Sequence, residues 1–479
     1  MFYCREEELR TMGRRYEKGR FECIVIYGRR RVGKTALINE FCKGKPTVYF
    51  AALNASSGEN LEALSKAIYQ CRNPEAHNAP TYRSYDDALE EITEMAKGKR
   101  LVFVIDEYPY LAKSEKSISS RLQHIIDHVW QETGLYLILC GSSMSFMEYQ
   151  VLGYESPLYG RRTAQFKIQA LTYREMTVFH PNLSVEDQAL LYGITGGIPH
   201  YINKLEVEES LDQALIENLF SPSGYLFEEP ENLLKQELRE PAIYNSVISS
   251  IAGGASRAHE IATKVGLESG ICAKYLRVLL ELGILKKETP VTEKPGRKTI
   301  YVIEDNFFRF WYRFVPRNMS AISAGRFREI YPRAVRAFLP DYMGLVFEKM
   351  CREYLLRYAK DLPILLGDVG QWWGTDPGTR TEIQIDIIGT PVEGKEYLIG
   401  SCKYRNEKIG VDELELLRRY AAVFRGDGKF HYYIFSKGGF TEPLLERARQ
   451  GEVALLTMED IYGGTGWQAL QMERNDRKI

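Results

Sequence analysis

The sequence contains no C-x-x-C pair: its eight cysteines, at positions 4, 23, 42, 71, 140, 272, 351 and 402, are scattered through 479 residues. That spacing argues against a zinc ribbon or a disulfide scaffold and fits a reducing compartment. Long hydrophobic runs are missing as well. The longest, such as LVFVI at 101–105, have the length of a strand, far short of the roughly 20 residues a membrane-spanning helix needs. The start, MFYCREEELR, is charged where a signal peptide is apolar. No charge of one sign dominates: 63 basic against 64 acidic residues leave a net charge of −1. Such a balance argues against nucleic acid covering the whole surface and against a polybasic membrane binder, but it leaves room for one basic domain offset by acidic ones. Repeats and low-complexity tracts do not occur. The remaining composition, 44% hydrophobic and 27% charged, is that of a globular protein. The length predicts about three domains, and the expected setting is cytoplasmic, with no membrane partner.

The first third alternates short apolar runs with helical spacing. CIVIY (23–27), TVYF (47–50), LVFVI (101–105) and LYLILC (135–140) read as buried strands. Alternation of this kind predicts an α/β fold with a parallel sheet. Directly after the first strand comes Gly28-Arg29-Arg30-Arg31-Val32-Gly33-Lys34-Thr35, which fits G-x-x-x-x-G-K-[ST], and then a helical pattern. Gly28 and Gly33 let the backbone wrap closely, so that successive N–H groups face phosphates. The helix start adds partial positive charge. Lys34 is placed to reach the β- and γ-phosphates of a nucleotide, and the Thr35 hydroxyl to ligate Mg²⁺. The third strand ends in Asp106-Glu107, with Asp106 suited to hold Mg²⁺ through water and Glu107 to deprotonate the attacking water. The strand at 135–140 runs into Gly141-Ser142-Ser143, where a small polar side chain can contact phosphate or water. Tyr159-Gly160-Arg161-Arg162 offers guanidinium groups that can stabilise transition-state charge, or that simply decorate the surface.

Taken in order, FYCREEEL, YGRRRVGKT, VFVIDEYPYL, LCGSS, SPLYGRRT and TGGIPHY resemble the archaeal-type ATPase family, relatives of the AAA+ and STAND NTPases found in archaea and bacteria. The resemblance covers about residues 1–230 and implies ATP as the nucleotide. It implies that Phe2 and Arg5 lie near the adenine entrance, that Ser142 is the sensor on its strand, and that Arg161 is a sensor arginine or acts on a neighbouring subunit of a homo-oligomer. It also places Pro199 in a lid motif beside the nucleotide, although a proline at a helix start needs no nucleotide to explain it.

Farther along, 242–256, 259–267 and 269–283 read as three helical stretches, and TPVTEKPGRKTIYVI as a strand–turn–strand wing, which together make a winged helix. Across 257–301, nine basic residues face five acidic ones, a local excess of +4. Lys274 and Arg277 on the last helix, and Lys294, Arg297 and Lys298 on the wing, are the candidate DNA contacts. The aromatic stretch EDNFFRFWYRFV (304–315) reads as a core stripe. His259-Glu260 begins an H-E-x-x-H pattern, but Thr263 breaks it. His124 and His128 are four apart with no third ligand in sight.

Toward the end, Glu348 on a helical stretch, Asp386 in IQIDII and Lys403 in SCK resemble the nuclease-like domain of PD-(D/E)xK type that accompanies these ATPases. In that family a Glu usually stands where this chain has Ser401, and another where it has Gln384. Loss of a carboxylate weakens binding of a hard cation, so the site is expected to be degenerate. Glu382 shares a strand face with Asp386 and is a candidate replacement.

The expected architecture is α/β: a P-loop NTPase core (1–170), a helical lid (171–240), a winged helix (241–316), a linker (317–345) and a restriction-endonuclease-like α/β domain (346–479). The expected function is a Mg²⁺-dependent ATPase whose hydrolysis of ATP drives DNA-associated action or conformational switching. The alternatives are a nucleotide switch for protein assembly without nucleic acid, and an ATP-gated, metal-dependent DNA nuclease.

Overall fold

A computed structural model describes residues 2–75, 79–296, 298–425 and 428–463. The chain divides into two compact units, one of residues 1–171 with 198–201, the other of 172–197 with 202–479.

In the first unit, five parallel strands form one sheet: β1 (Glu22–Tyr27), β2 (Thr47–Ala51), β3 (Leu101–Asp106), β4 (Leu135–Gly141) and β5 (Ala164–Lys167), in the order β2-β3-β4-β1-β5. All of β1, β3 and β4 is buried, which is why these strands read as unbroken apolar runs rather than as an alternation. Alternate residues still serve opposite faces. Cys23 and Val25 join Phe103, Leu137 and the helices α3 (Ser57–Arg72), α4 (Tyr85–Ala96), α5 (Tyr108–Ser114) and α6 (Ile118–His128). Ile24 and Ile26 join Val104, Ile138 and the helices α1 (Glu6–Tyr16) and α2 (Lys34–Cys42) on the other. The sheet is thus covered on both faces, as a parallel sheet requires, and its ligand crevice lies at the carboxyl ends of the strands.

The second unit carries a mixed sheet, β12-β11-β10-β9-β8, built from β8 (Leu366–Thr375), β9 (Glu382–Pro391), β10 (Glu396–Lys403), β11 (Lys429–Ser436) and β12 (Ala454–Thr457). Strand β9 runs antiparallel to both β8 and β10, whereas β10, β11 and β12 are mutually parallel. Ahead of that sheet stand three helices, Pro241–Ala252, Ala258–Val265 and Ser269–Glu281. They are followed by the hairpin of β6 (Leu285–Glu288) and β7 (Ile300–Ile303), the element order of a winged helix. The aromatic stretch forms the helix Asn306–Phe314. Asp305 caps it by accepting from the amides of Phe307 and Phe308 at 2.7 and 3.2 Å, and its rings are buried.

Two sequence expectations need correction. Residues 317–345 are not a linker: they fold into short helical turns and the start of the helix Leu339–Arg357, with Tyr331, Val335 and Leu339 buried. Pro316, Pro332 and Pro340 suggested an open connection, yet each occupies the first turn of a helical segment, where the missing N–H costs nothing. Nor is 171–240 a separate lid. Its helix Val185–Thr195 packs with the helices Asn306–Phe314 and Leu339–Arg357 in the second unit, while 198–201 belongs to the first. Among the described residues no helix is long and apolar enough to cross a membrane.

Leu137 is wholly buried in the centre of the first sheet. Leu137→Ala is expected to cost about 2–5 kcal/mol of stability, read as a lowered urea midpoint for the first unit.

Candidate functional site

The loop after β1 is shaped by positive φ angles at Gly28 (155°), Arg31 (72°) and Gly33 (94°). A side chain at Gly28 would overlap the carbonyl oxygen of Ile168, so glycine is required there by space as well as by φ. Helix α2 begins at Lys34, which is only 7% exposed. Its Nζ donates to the carbonyls of Gly28 and Arg29, both at 2.9 Å. Burial pulls the ammonium pKa down, against the opposing pull of Glu107 and Asp106. Arg29 and Val32 complete the loop, with Val32 buried in the core under α2. Arg30 donates to the Tyr110 hydroxyl at 2.6 Å, and Arg31 lies 5.8 Å from the centroid of the Tyr201 ring. Pro199 stands beside Gly33.

Next to this loop lies the acid pair. Asp106 is buried at the end of β3. Its Oδ2 accepts from the Thr35 hydroxyl at 3.0 Å and from the Tyr49 hydroxyl at 2.7 Å, and its Oδ1 from the Glu107 amide at 3.0 Å. Strand β4 separates β3 from β1 and brings Ser142 between loop and acids. The Ser142 hydroxyl lies 3.0 and 2.9 Å from the two carboxylate oxygens of Glu107, and the Ser142 amide donates to the second at 3.4 Å. Glu107 itself is left-handed, φ 51°, a conformation that a side chain of this size rarely adopts and that clusters at functional sites.

Lys34, Thr35, Asp106, Glu107 and Ser142 are therefore brought together. The donor set fits a polyphosphate and a divalent cation: a glycine-shaped backbone cradle, a buried ammonium, a hydroxyl and a carboxylate side by side. Phe2 packs against the same core as Val32 and Leu37. Arg5 has a left-handed backbone, pairs with Glu8 at 3.4 Å and donates to the Gln169 carbonyl. Arg161 is directed elsewhere. Its Nε and Nη2 reach the two oxygens of Asp127 at 2.8 and 2.5 Å, and its Nη1 reaches the carbonyls of Pro157 and Tyr159. Any action on a neighbouring subunit requires those bonds to break first. Sequence reasoning missed Tyr49 and Asp127. Tyr49 alternates with core residues in TVYF, which signals only that it leaves the face of Val48 and Phe50.

In the second unit, Asp386 on β9 accepts from the Cys402 amide at 2.9 Å and the Ser401 hydroxyl at 3.4 Å. Lys403 pairs at 3.1 Å with Glu413, a residue of the helix Val411–Phe424, and the Ser401 hydroxyl donates to the same oxygen at 2.7 Å. Sequence reasoning missed Glu413 and proposed Glu382 instead, but Glu382 is exposed at the start of β9. Glu348, on the helix Leu339–Arg357, accepts from the Gln371 side chain. Burial, followed by the charge of Asp386, pushes its pKa up to about 7. Among the described residues no group of three or more His, Cys, Asp or Glu is arranged to hold a metal ion. The His124 and His128 rings lie with centroids 4.5 Å apart, tilted by 56° to each other. On the winged helix, Lys274 and Arg277 are exposed, Lys294 is exposed, and Lys298 pairs with Glu293 at 2.6 Å. Arg297 lies outside the described residues.

A glycine-shaped loop between strand and helix, with an acid pair one strand removed on a parallel sheet, defines a P-loop NTPase. A family model of an ATPase domain predominantly from Archaea matches residues 2–205, and a second, of archaeal and bacterial proteins of unknown function, matches 311–414. An uncharacterized protein of Methanocaldococcus jannaschii is 31% identical over 469 residues, 96% of this chain and 100% of that one. An uncharacterized ATP-binding protein of the same organism is 47% identical over 45 residues, 9% of this chain and 76% of its own. Among solved structures, the Walker-type ATPase of Pyrococcus abyssi has a TM-score of 0.51 at 18% identity, covering 65% of this chain and 96% of that one. The chain belongs to the archaeal-type P-loop ATPase family, and it is an ATPase.

The raised Glu348 pKa sets a pH dependence. Between the ordinary carboxylate range and about 7, the folded chain keeps a proton that the unfolded chain has lost, so stability falls as pH rises through this window. In Glu348→Gln this contribution is absent. The variant is expected to gain on the parent between pH 5 and pH 8 in urea denaturation with chelator present; parallel pH slopes would contradict the assignment.

Proposed function

We propose that this chain is a Mg²⁺-dependent ATPase in which Thr35 and Asp106 hold the metal and Glu107 is the base for water. The observation that carries this reading is the 3.0 Å bond from the Thr35 hydroxyl to the Asp106 carboxylate, with Glu107 next in sequence and aimed at Ser142. Bound Mg²⁺ supplies positive charge that offsets the charge developing on the phosphates. Lys34 adds a second cation from the loop and exchanges its two carbonyl partners for phosphate oxygens. Glu107 takes a proton from water, which becomes the nucleophile. Ser142 orients Glu107 until the nucleotide arrives, then becomes free to contact phosphate or water. Phe2 and Arg5 border the adenine, Pro199 supports the loop from outside, and Arg161 becomes available only once Asp127 lets it go.

In Glu107→Gln, ATP binding should persist while turnover falls by about 10²–10⁴-fold, the usual contribution of a general base. Unchanged phosphate release would overturn the role of Glu107. Solution mass with and without ATP tests the homo-oligomer in which Arg161 would act.

ATP hydrolysis is proposed to drive an action on DNA through the winged helix, where Lys274, Arg277 and Lys294 are exposed. DNA binding by the full chain should weaken steeply with salt, and reversing Lys274, Arg277 and Lys294 to Glu should flatten that dependence, since each lost phosphate contact lowers the slope by about one. Absence of binding at low salt favours the switch without nucleic acid. A nuclease reading is disfavoured: Glu413 faces Lys403 and Ser401 rather than an open ligand position, and no cleavage is expected with Mg²⁺ or Mn²⁺.

A further inference from the structure

A cavity of about 360 Å³ opens within the second unit, bounded by the first winged-helix helix, β7, the aromatic helix and the helix Leu339–Arg357. Its charged lining is one-sided. Arg309, Arg313, Lys349 and Arg352 face it, against the single carboxylate of Glu288. The cations are poorly answered. Arg313 has Asp341, but Lys349 shares Glu304, at 2.9 Å, with Lys286 at 3.4 Å. Arg309 lies 4.5 Å over the Tyr342 ring, while its Nε and Nη2 are shut off from solvent with no hydrogen-bond partner. Among the described residues Arg352 makes no ion pair within 4.0 Å, and its charge is answered only at longer range by Glu348 and Asp386. Guanidinium groups answered only in part in a confined space are costly, and planar forks of this kind match phosphate oxygens.

The rest of the wall narrows the ligand. Ile251, Ile300 and Leu345 supply apolar surface, Tyr301 a ring, and Gln371 and Gln384 neutral amides. An amide can pair with the donor and acceptor edge of a base. The volume suits one small organic molecule and not a strand.

We propose that this cavity binds a free nucleoside monophosphate, with the phosphate on Arg352 and Lys349, the charge of Arg309 behind them, and the nucleoside against the apolar wall. The site is separate from the phosphate loop, which belongs to the other unit, and does not depend on the roles assigned there.

The test is calorimetric titration of AMP into the full chain without Mg²⁺, alongside inorganic phosphate and a short single-stranded oligonucleotide. The chain and its Lys34→Ala variant should bind AMP equally. Arg309→Met and Arg352→Met should each weaken it by about tenfold or more, the usual scale for a charge-assisted bond, with ATP turnover unchanged. Photocrosslinking of azido-AMP to the unaltered chain, mapped to 251–256 or 300–303, supports the proposal even if a variant fails to fold. Four results would overturn it: no AMP binding at millimolar concentration, loss of binding in Lys34→Ala, phosphate binding as tightly as AMP, or an oligonucleotide that binds and that AMP does not displace.

Discussion

The buried carboxylate of Asp106 is the constraint around which the first unit is arranged. A carboxylate with 6% exposure needs hydrogen-bond donors to offset its burial. Its donors come from different places: a hydroxyl from the first turn of α2, a phenol from β2, and the amide of Glu107. Satisfying all three fixes the height of β2 against β3 and the position of the helix that follows the loop. The order β2-β3-β4-β1 is therefore a chemical requirement as much as a packing solution. With β4 between acid and loop, room remains for a phosphate chain, and the end of β4 can reach Glu107.

Glu107 shows the same logic one residue on. A left-handed backbone at a non-glycine residue costs of order 1–3 kcal/mol and persists only where the surroundings impose it. Here the Asp106 carboxylate accepts from the Glu107 amide and Ser142 accommodates both Glu107 carboxylate oxygens. The side chain is thereby turned away from the start of α5 and toward the crevice. A carboxylate held in this way by a neutral hydroxyl is oriented before any ligand arrives.

How much of this was legible in the sequence depended on whether a feature is local. The loop Gly28–Thr35, the acid pair ending LVFVI and the flanking strands are contiguous, and the chain wrote them plainly. What escaped was non-local. Tyr49 meets Asp106 only through strand pairing, Asp127 meets Arg161 across 34 residues, and Glu413 arrives beside Lys403 from a helix after the strand. The prolines between 316 and 340 misled for a different reason. Proline punctuates both linkers and helix starts, and only burial of Tyr331 and Leu339 separates the two. The lid failed as a unit because the helix Val185–Thr195 presents small and aliphatic residues that match the aromatic helix Asn306–Phe314, a partner more than 100 residues away.

The near-zero net charge conceals an uneven distribution that matters most in the second unit. At β9, β10 and the helix Val411–Phe424, the carboxylates of Asp386 and Glu413 accept bonds from Cys402, Ser401 and Lys403, so their anionic charge is already answered. On the other side of Glu348, four cationic side chains line the cavity against the single lining carboxylate of Glu288, and the wall also carries the amides of Gln371 and Gln384. A Glu at 384 would have placed a second carboxylate in that lining and cancelled much of its positive potential. The neutral amide of Gln384 thus leaves the cavity cationic.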